Sequence, residues 1–187
     1  MADTFDDERL VRQFDRGDDS AFDEIVRKYC GDIAALANRL LGWPGDVEDI
    51  TQEVFVSAFV GLKKFRGQCS LKSWLFTITI NKCCSYRYRR MLYLRRFSHT
   101  FDEVEDAAPA GKPADRTSLD DETFECVSRA VRSLPPKCRE AVVLRYLQEL
   151  PTHEICRILG ISTNALQVRL NRARQRLRQD LTELLGE

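Results

Sequence analysis

The apolar residues of this chain recur at helical spacing almost from end to end, and over one long stretch the recurrence stops. Phe22, Ile25, Val26 and Tyr29 fall three or four positions apart, and Ile33, Leu36, Ala37, Leu40 and Leu41 continue the stripe. A stripe of that period lies on one side of a helix and must be buried against another helix face. "GWPGD" breaks it, as glycine and proline do. Asp46 can then cap a new helix, with Asp49 in its first turn, and that helix buries Val47, Ile50, Val54, Ala58 and Leu62. "KFRGQCS" interrupts again, and a further helix is predicted from about Leu71 to Leu92. Its opening "LKSWLFTITI" is β-branched enough for a strand. The flanking "NKCCSYRYRRMLYLRR" carries the segment well past strand length, which favours a helix.

Residues 98–118, "SHTFDEVEDAAPAGKPADRTS", have no period and contain Pro109, Gly111 and Pro113. Four acidic side chains precede the first proline, so the stretch reads as a flexible acidic linker. The expectation is an all-α chain: two small helical domains, residues 1–97 and 119–187, joined by this linker. A length of 187 residues accommodates two small cores.

The second domain contains a helix-turn-helix pattern. "DETFECVSRAVRSL" is followed by "PPKCREAVVLRYLQEL", whose prolines suit a helix start. Pro151 opens "THEICRILG", with Ile155, Ile158 and Leu159 apolar; Gly160 ends that helix, Ile161 lies in the turn, and Ser162 or Thr163 can cap the next. At 100° per residue, Leu166, Leu170, Ala173, Leu177, Leu181 and Leu184 all fall within about 60° of Leu166, the width of a buried seam. The opposite side carries Asn164, Val168, Asn171 and Gln175, with Gln167 and Arg172 beside them. A valine there is odd for water but suits a major groove, where it can touch a thymine methyl, and asparagine and glutamine can bond adenine in two places. Arg172, Arg174 and their neighbours can reach phosphates. The plain alternative is an amphipathic helix with arginines for solubility, since one exposed valine is ordinary.

Charge is distributed unevenly although it cancels overall. Residues 63–97 hold 10 basic and no acidic side chains, interleaved with Phe65, Trp74, Phe76, Tyr86, Tyr88, Tyr93 and Phe97. Cations that follow a phosphate backbone and rings that stack on bases are what single-stranded nucleic acid requires. Trp74 and Phe76 are also natural core residues. The preceding helix is acidic: Asp46, Asp49 and Glu53, with Gln52 alongside, form either a dock for a basic protein or a solvated helix start.

Other classes find little support. Seven cysteines include no C-x-x-C, and His153 and Cys156 have no second pair of matching spacing, so structural zinc and other cofactors are not expected. Reduced, mostly buried thiols are the default, and the adjacent Cys83 and Cys84 would be strained as a disulfide. No catalytic constellation or phosphate-cradling glycine loop is present, so no enzyme is expected. Seven acidic side chains in the first 20 residues argue against a secretory signal, and no apolar stretch approaches the roughly 20 residues of a membrane span. A cytoplasmic protein without membrane insertion is expected.

Taken together, the chain resembles the extracytoplasmic-function group of bacterial sigma factors in the sigma-70 family. "DVEDITQEVFVSAF" is similar to the family's D-x-E-D-x-x-Q-E-x-F segment, "KFRGQCSLKSWLFTITINKCCSYRYRR" to its F-R-G…W-L-x-x-I…N…R-x-x-R stretch, and "LPPKCREAVVLRYLQELPTHEICRILGISTNALQVRLNRARQRL" to its second-domain signature. The resemblance implies a subunit that binds core RNA polymerase, through the β′ clamp helices and the β flap, and directs promoter-specific initiation. It implies that Asp46, Asp49, Gln52 and Glu53 serve the clamp helices. It assigns the −10 element to Phe65, Arg66, Gly67, Gln68, Cys69, Ser70 and Lys72, whose loop would receive a flipped base, and to Asn81, Lys82, Tyr86, Arg87, Arg89 and Arg90. It assigns the −35 element to Thr163, Asn164, Gln167, Val168, Asn171, Arg172 and Arg174. An anti-sigma partner is also implied.

The chain departs from the pattern at Gln167, where many members have a basic residue, and at Val168, where many have serine. These changes imply a different −35 preference, richer in A·T. Ser85 stands where aspartate is common and Ile80 where arginine is. A stand-alone regulator remains the rival reading: it accounts for the second domain, though not for residues 63–97.

Overall fold

The computed structural model describes the backbone of residues 2–41, 46–97 and 119–185 and the side chains of residues 5–41, 46–96 and 126–180. Regular structure among these residues is helical throughout. The chain divides into two units between residues 109 and 110. The expected linker and the Gly42–Gly45 break lie outside the described residues.

The first unit comprises α1 (Ala2–Asp15), α2 (Ser20–Leu41), α3 (Val47–Leu62) and α4 (Leu71–Phe97). Helix α2 is its hub, packing against the other three, and α3 also packs on α4. The periodic stripe of α2 accounts for this: Ile25, Ile33, Leu36, Ala37 and Leu40 are completely buried. On α3, Ile50, Val54, Ala58 and Leu62 are buried as their spacing requires, whereas Val47 is only half-buried.

Helix α1 was not legible from periodicity, because only Leu10 and Phe14 form its apolar turn. Phe14 meets Phe22 and Phe59 at ring-centroid distances of 5.8 and 5.2 Å, and Phe22 meets Phe59 at 5.1 Å, so one aromatic cluster joins α1, α2 and α3. Beside it the buried Asp7 carboxylate accepts hydrogen bonds from the Tyr29 hydroxyl at 2.7 Å and from Lys28 Nζ at 2.8 Å. That network satisfies a carboxylate that burial would otherwise penalise.

Helix α4 runs to Phe97, about one turn beyond the expected end. Thr77 and Thr79 donate their hydroxyls to the carbonyls of Ser73 and Leu75, at 2.9 Å in each case, which satisfies these polar groups within the helix. Only its first half is core: Leu71, Leu75, Phe76, Ile80 and Cys83 are buried, while Tyr88, Met91, Leu92, Tyr93 and Leu94 are exposed.

The second unit comprises α5 (Leu119–Ser133), α6 (Pro136–Val142) continued by a π-helical turn (Val143–Leu147), α7 (Thr152–Leu159) and α8 (Thr163–Leu185). Helix α8 is the hub here, packing on α5, α6 and α7. Leu166, Leu170 and Ala173 are buried and Leu177 is half-buried; the side chains of Leu181 and Leu184 lie outside the described residues. Pro135 and Pro136 start α6 as expected. The expectation that most cysteines are buried fails, since only Cys83 and Cys138 are and Cys30 and Cys84 are exposed.

The aromatic cluster ties α1 to the rest of the first unit, so its loss should be costly. Phe14→Ala should lower the unfolding free energy by about 3–5 kcal/mol in a urea titration. Phe5→Ala, at a site 73% exposed on the same helix, should change it by less than about 0.5 kcal/mol.

Candidate nucleic-acid interface

The sequence singles out three groups of side chains, and the structure arranges each differently. The acidic group on α3 splits in two. Asp49 and Gln52 are exposed, while Asp46 and Glu53 turn toward α4. Glu53 pairs with Lys82 at 3.3 Å and with Arg89 at 3.4 Å. Asp46 lies 3.8 Å from Arg90. Asp46 occupies the cap position of α3 but makes no side-chain capping bond, so its expected role as a cap is not realised. The nearby α4 cation and phenol compete for its carboxylate and win.

The loop between α3 and α4 is held from both ends. Phe65 packs on Trp74 with the rings tilted at 45° and centroids 5.2 Å apart, and a Cβ on Gly61 would come within 3.1 Å of the Trp74 ring. Trp74 is therefore half-buried under the loop rather than fully in the core. Ser70 caps α4 by accepting the Ser73 backbone N–H at 3.2 Å. Gly67 has φ +65°, a left-handed conformation that a side chain would strain. Between these anchors Arg66, Gly67 and Gln68 are exposed.

Along α4, Asn81 and Lys82 line an open cleft of about 330 Å³ with Glu53, Ile78, Ser85 and Arg89. Lys72 pairs instead with Asp32 of α2 at 2.7 Å, and Arg87 donates to the Leu40 carbonyl at 3.3 Å. Of the six cations Arg66, Lys72, Lys82, Arg87, Arg89 and Arg90, five thus touch acceptors, and Arg66 has none among the described residues. Such exposed pairs are worth at most about 1 kcal/mol each, so a polyanion can displace them.

On α8 the expected residues do come together. Thr163, Asn164, Gln167, Val168, Asn171, Arg172 and Arg174 are all exposed. Val168 is 48% exposed while Leu166, two positions away, is fully buried. Gly160 ends α7 at φ +61° and lets the Ile161 N–H return to the Cys156 carbonyl at 3.0 Å. Ser162 then caps α8, accepting the Ala165 N–H at 3.2 Å. This tight connection presents the first turns of α8 outward.

The two units match two families in the same order: residues 25–91 match "Sigma-70 region 2" and residues 124–177 match "Sigma-70, region 4". The chain is 30% identical to the ECF RNA polymerase sigma-E factor of Escherichia coli over 99% of both chains. The chain belongs to the extracytoplasmic-function (ECF) sigma factors of the sigma-70 family. The RNA polymerase sigma-H factor of Pseudomonas aeruginosa is 29% identical, over 97% of this chain and 96% of its own. Among solved structures, CnrH in complex with the cytosolic domain of CnrY is 28% identical and covers 95% of this chain and 98% of its own, with a TM-score of 0.67. The sigma factor RpoE in complex with the anti-sigma factor NepR, from Bartonella quintana, is 25% identical over 86% of this chain and 96% of its own, with a TM-score of 0.69.

As an ECF sigma factor, the protein is a non-catalytic subunit that directs promoter-specific transcription initiation by RNA polymerase. Sequence reasoning overlooked Val56 and Val60, which are 66% and 72% exposed on α3. The signal was present: both fall outside the stripe of Ile50, Val54, Ala58 and Leu62.

The acidic–basic seam of this sigma factor has a titratable member. Burial foremost, then the Asp46 carboxylate, holds the Tyr86 phenol neutral above its ordinary range, against a smaller opposing pull from Arg90. The folded state therefore keeps this proton longer than the unfolded chain. Its contribution to stability is fully present below the unfolded value of about 10 and is lost as pH rises through the folded value. Tyr86→Phe should flatten the alkaline fall in stability, read as the urea midpoint between about pH 9 and 11.

Proposed function

We propose that residues 1–97 dock on core polymerase and handle the −10 element, and that residues 119–187 read the −35 element. The observation that carries this reading is the exposed face of α8. An apolar Val168 lies between the amides Asn164, Gln167 and Asn171, flanked by Arg172 and Arg174, opposite the buried Leu166 and Leu170. Water suits the amides and arginines but gains nothing from the valine, whereas a major groove accepts each part of the set.

In the first unit, Asp49 and Gln52 face the β′ clamp helices, and Val56 and Val60 extend that surface as apolar contacts. The loop from Phe65 to Lys72 receives an unstacked base of the −10 element, with the tilted Phe65–Trp74 ring contact fixing its root. Capturing an unpaired base favours strand opening at the cost of unstacking it. Lys82, Tyr86, Arg87, Arg89 and Arg90 exchange their internal acceptors for phosphates. Each unit alone is small, and polymerase holds both on one promoter so that weak contacts add through tethering. The β flap supports the second unit, and the work takes place in the cytoplasm. An anti-sigma protein is the antagonist, a reading supported by the complex of the RpoE relative with the anti-sigma factor NepR.

Transcription of genomic fragments by core polymerase, with and without the protein, tests the reading. Defined start sites should appear only when it is added. Tight, selective binding of the free chain to duplex DNA would instead favour a stand-alone regulator. Arg172→Ala should weaken promoter binding uniformly across sequences and lower the salt slope by about one. Val168→Ser should change preference at one or two −35 base pairs, and a filter-binding series with substituted promoters measures both.

A further inference from the structure

The π-helical turn places a tyrosine against the base-reading helix. Gln148 N–H reaches back five residues to the Val143 carbonyl at 2.9 Å, and Glu149 then adopts a left-handed φ of 53°. The extra residue in this turn rotates the side chains after it relative to a continuous α-helix, and π turns frequently mark functional positions. After the buried Val143 and Leu144, Tyr146 emerges 48% exposed.

Its phenolic oxygen accepts two hydrogen bonds from Arg174, from Nη2 at 2.7 Å and from Nε at 3.2 Å. Both lone pairs are then occupied, so the phenolic proton must point elsewhere, and it has no acceptor among the described residues. Arg174 Nη1 donates to Asn171 Oδ1 at 3.2 Å, which places the guanidinium on the border of the base-reading face. Nη1 and Nη2 each keep one further N–H. A phenolic O–H and two guanidinium N–H groups are thus left free of internal acceptors among the described residues, in one exposed patch beside Asn171, on the border of the face read as the −35 surface.

We propose that Tyr146 is a DNA-contacting residue: it donates its O–H to a promoter phosphate and holds Arg174 to grip the same phosphate. This rests on the reading of α8 as the −35 helix. Because the contact is to backbone, it adds affinity on every sequence and sets register without selecting bases. Through Arg174 it also fixes which side of the Asn171 amide faces the groove.

Tyr146→Phe keeps the ring and removes only the hydroxyl. Holoenzyme carrying it should bind a promoter fragment about tenfold more weakly, equivalent to ~1.4 kcal/mol. The loss should be equal on fragments with substituted −35 bases, with an unchanged melting temperature and unchanged binding to core polymerase. With Arg174→Ala, the double variant should lose less than the product of the two single losses, since both groups serve one phosphate. Wild-type affinity in Tyr146→Phe, a loss confined to certain −35 sequences, or strictly multiplicative losses would overturn the proposal. Arg172→Ala run alongside separates the causes. If it weakens binding while Tyr146→Phe does not, only the tyrosine assignment falls; if neither weakens binding, the assignment of α8 falls with it.

Discussion

Each unit is organised around a single helix that buries one whole face and leaves the other free. In the first unit this is α2, whose Ile25, Ile33, Leu36 and Leu40 are the common floor for α1, α3 and α4. In the second it is α8, with Leu166, Leu170 and Ala173 serving α5, α6 and α7. Such narrow seams satisfy small cores and leave long charged faces unburied. Those outward faces are available for partners because stability does not need them.

The α3–α4 seam brings opposite charges of different purpose into contact. Glu53, from the helix proposed to meet polymerase, touches Lys82 and Arg89, from the helix proposed to meet DNA. Half-exposed pairs of this kind are weak, so they moderate the cationic face without locking it. They also explain how ten basic residues in a 35-residue stretch coexist with a folded helix: Asp32, Asp46 and Glu53 relieve part of the repulsion. On α8 no comparable acid lies among the described residues proposed to face bases, and Arg174 donates to a phenol and an amide instead.

Much of this was legible in the amino-acid order. The α2 and α8 stripes, the Gly160 stop and the outward Val168 all follow from short-range spacing; spacing left the α8 cap open between Ser162 and Thr163, and the structure gives it to Ser162. The family resemblance named the same residues through ordered motifs. What spacing missed has a common cause. Helix α1 carries too few apolar residues to show a period, and it is helical because Phe14 and Asp7 find partners on α2 and α3. The π turn at Val143–Leu147 was invisible because its sequence continues the apolar run of α6. Asp46 looked like a cap because the cap is a local motif, whereas its actual neighbours, Tyr86 and Arg90, belong to a different helix, α4.

By itself, then, the order of residues determined the apolar stripes of α2, α3 and α8, the interruptions after Leu62 and Leu159, and which face of those helices is apolar, since all of these depend on neighbours within a few positions. Tertiary packing decided which polar groups meet. It turned Glu53 inward and Asp49 outward, laid Trp74 beneath Phe65, and brought Tyr146 to Arg174. Those choices depend on helices crossing at distances the chain order does not encode, where a hydrogen bond of 2.7 Å is set by where two backbones come to rest.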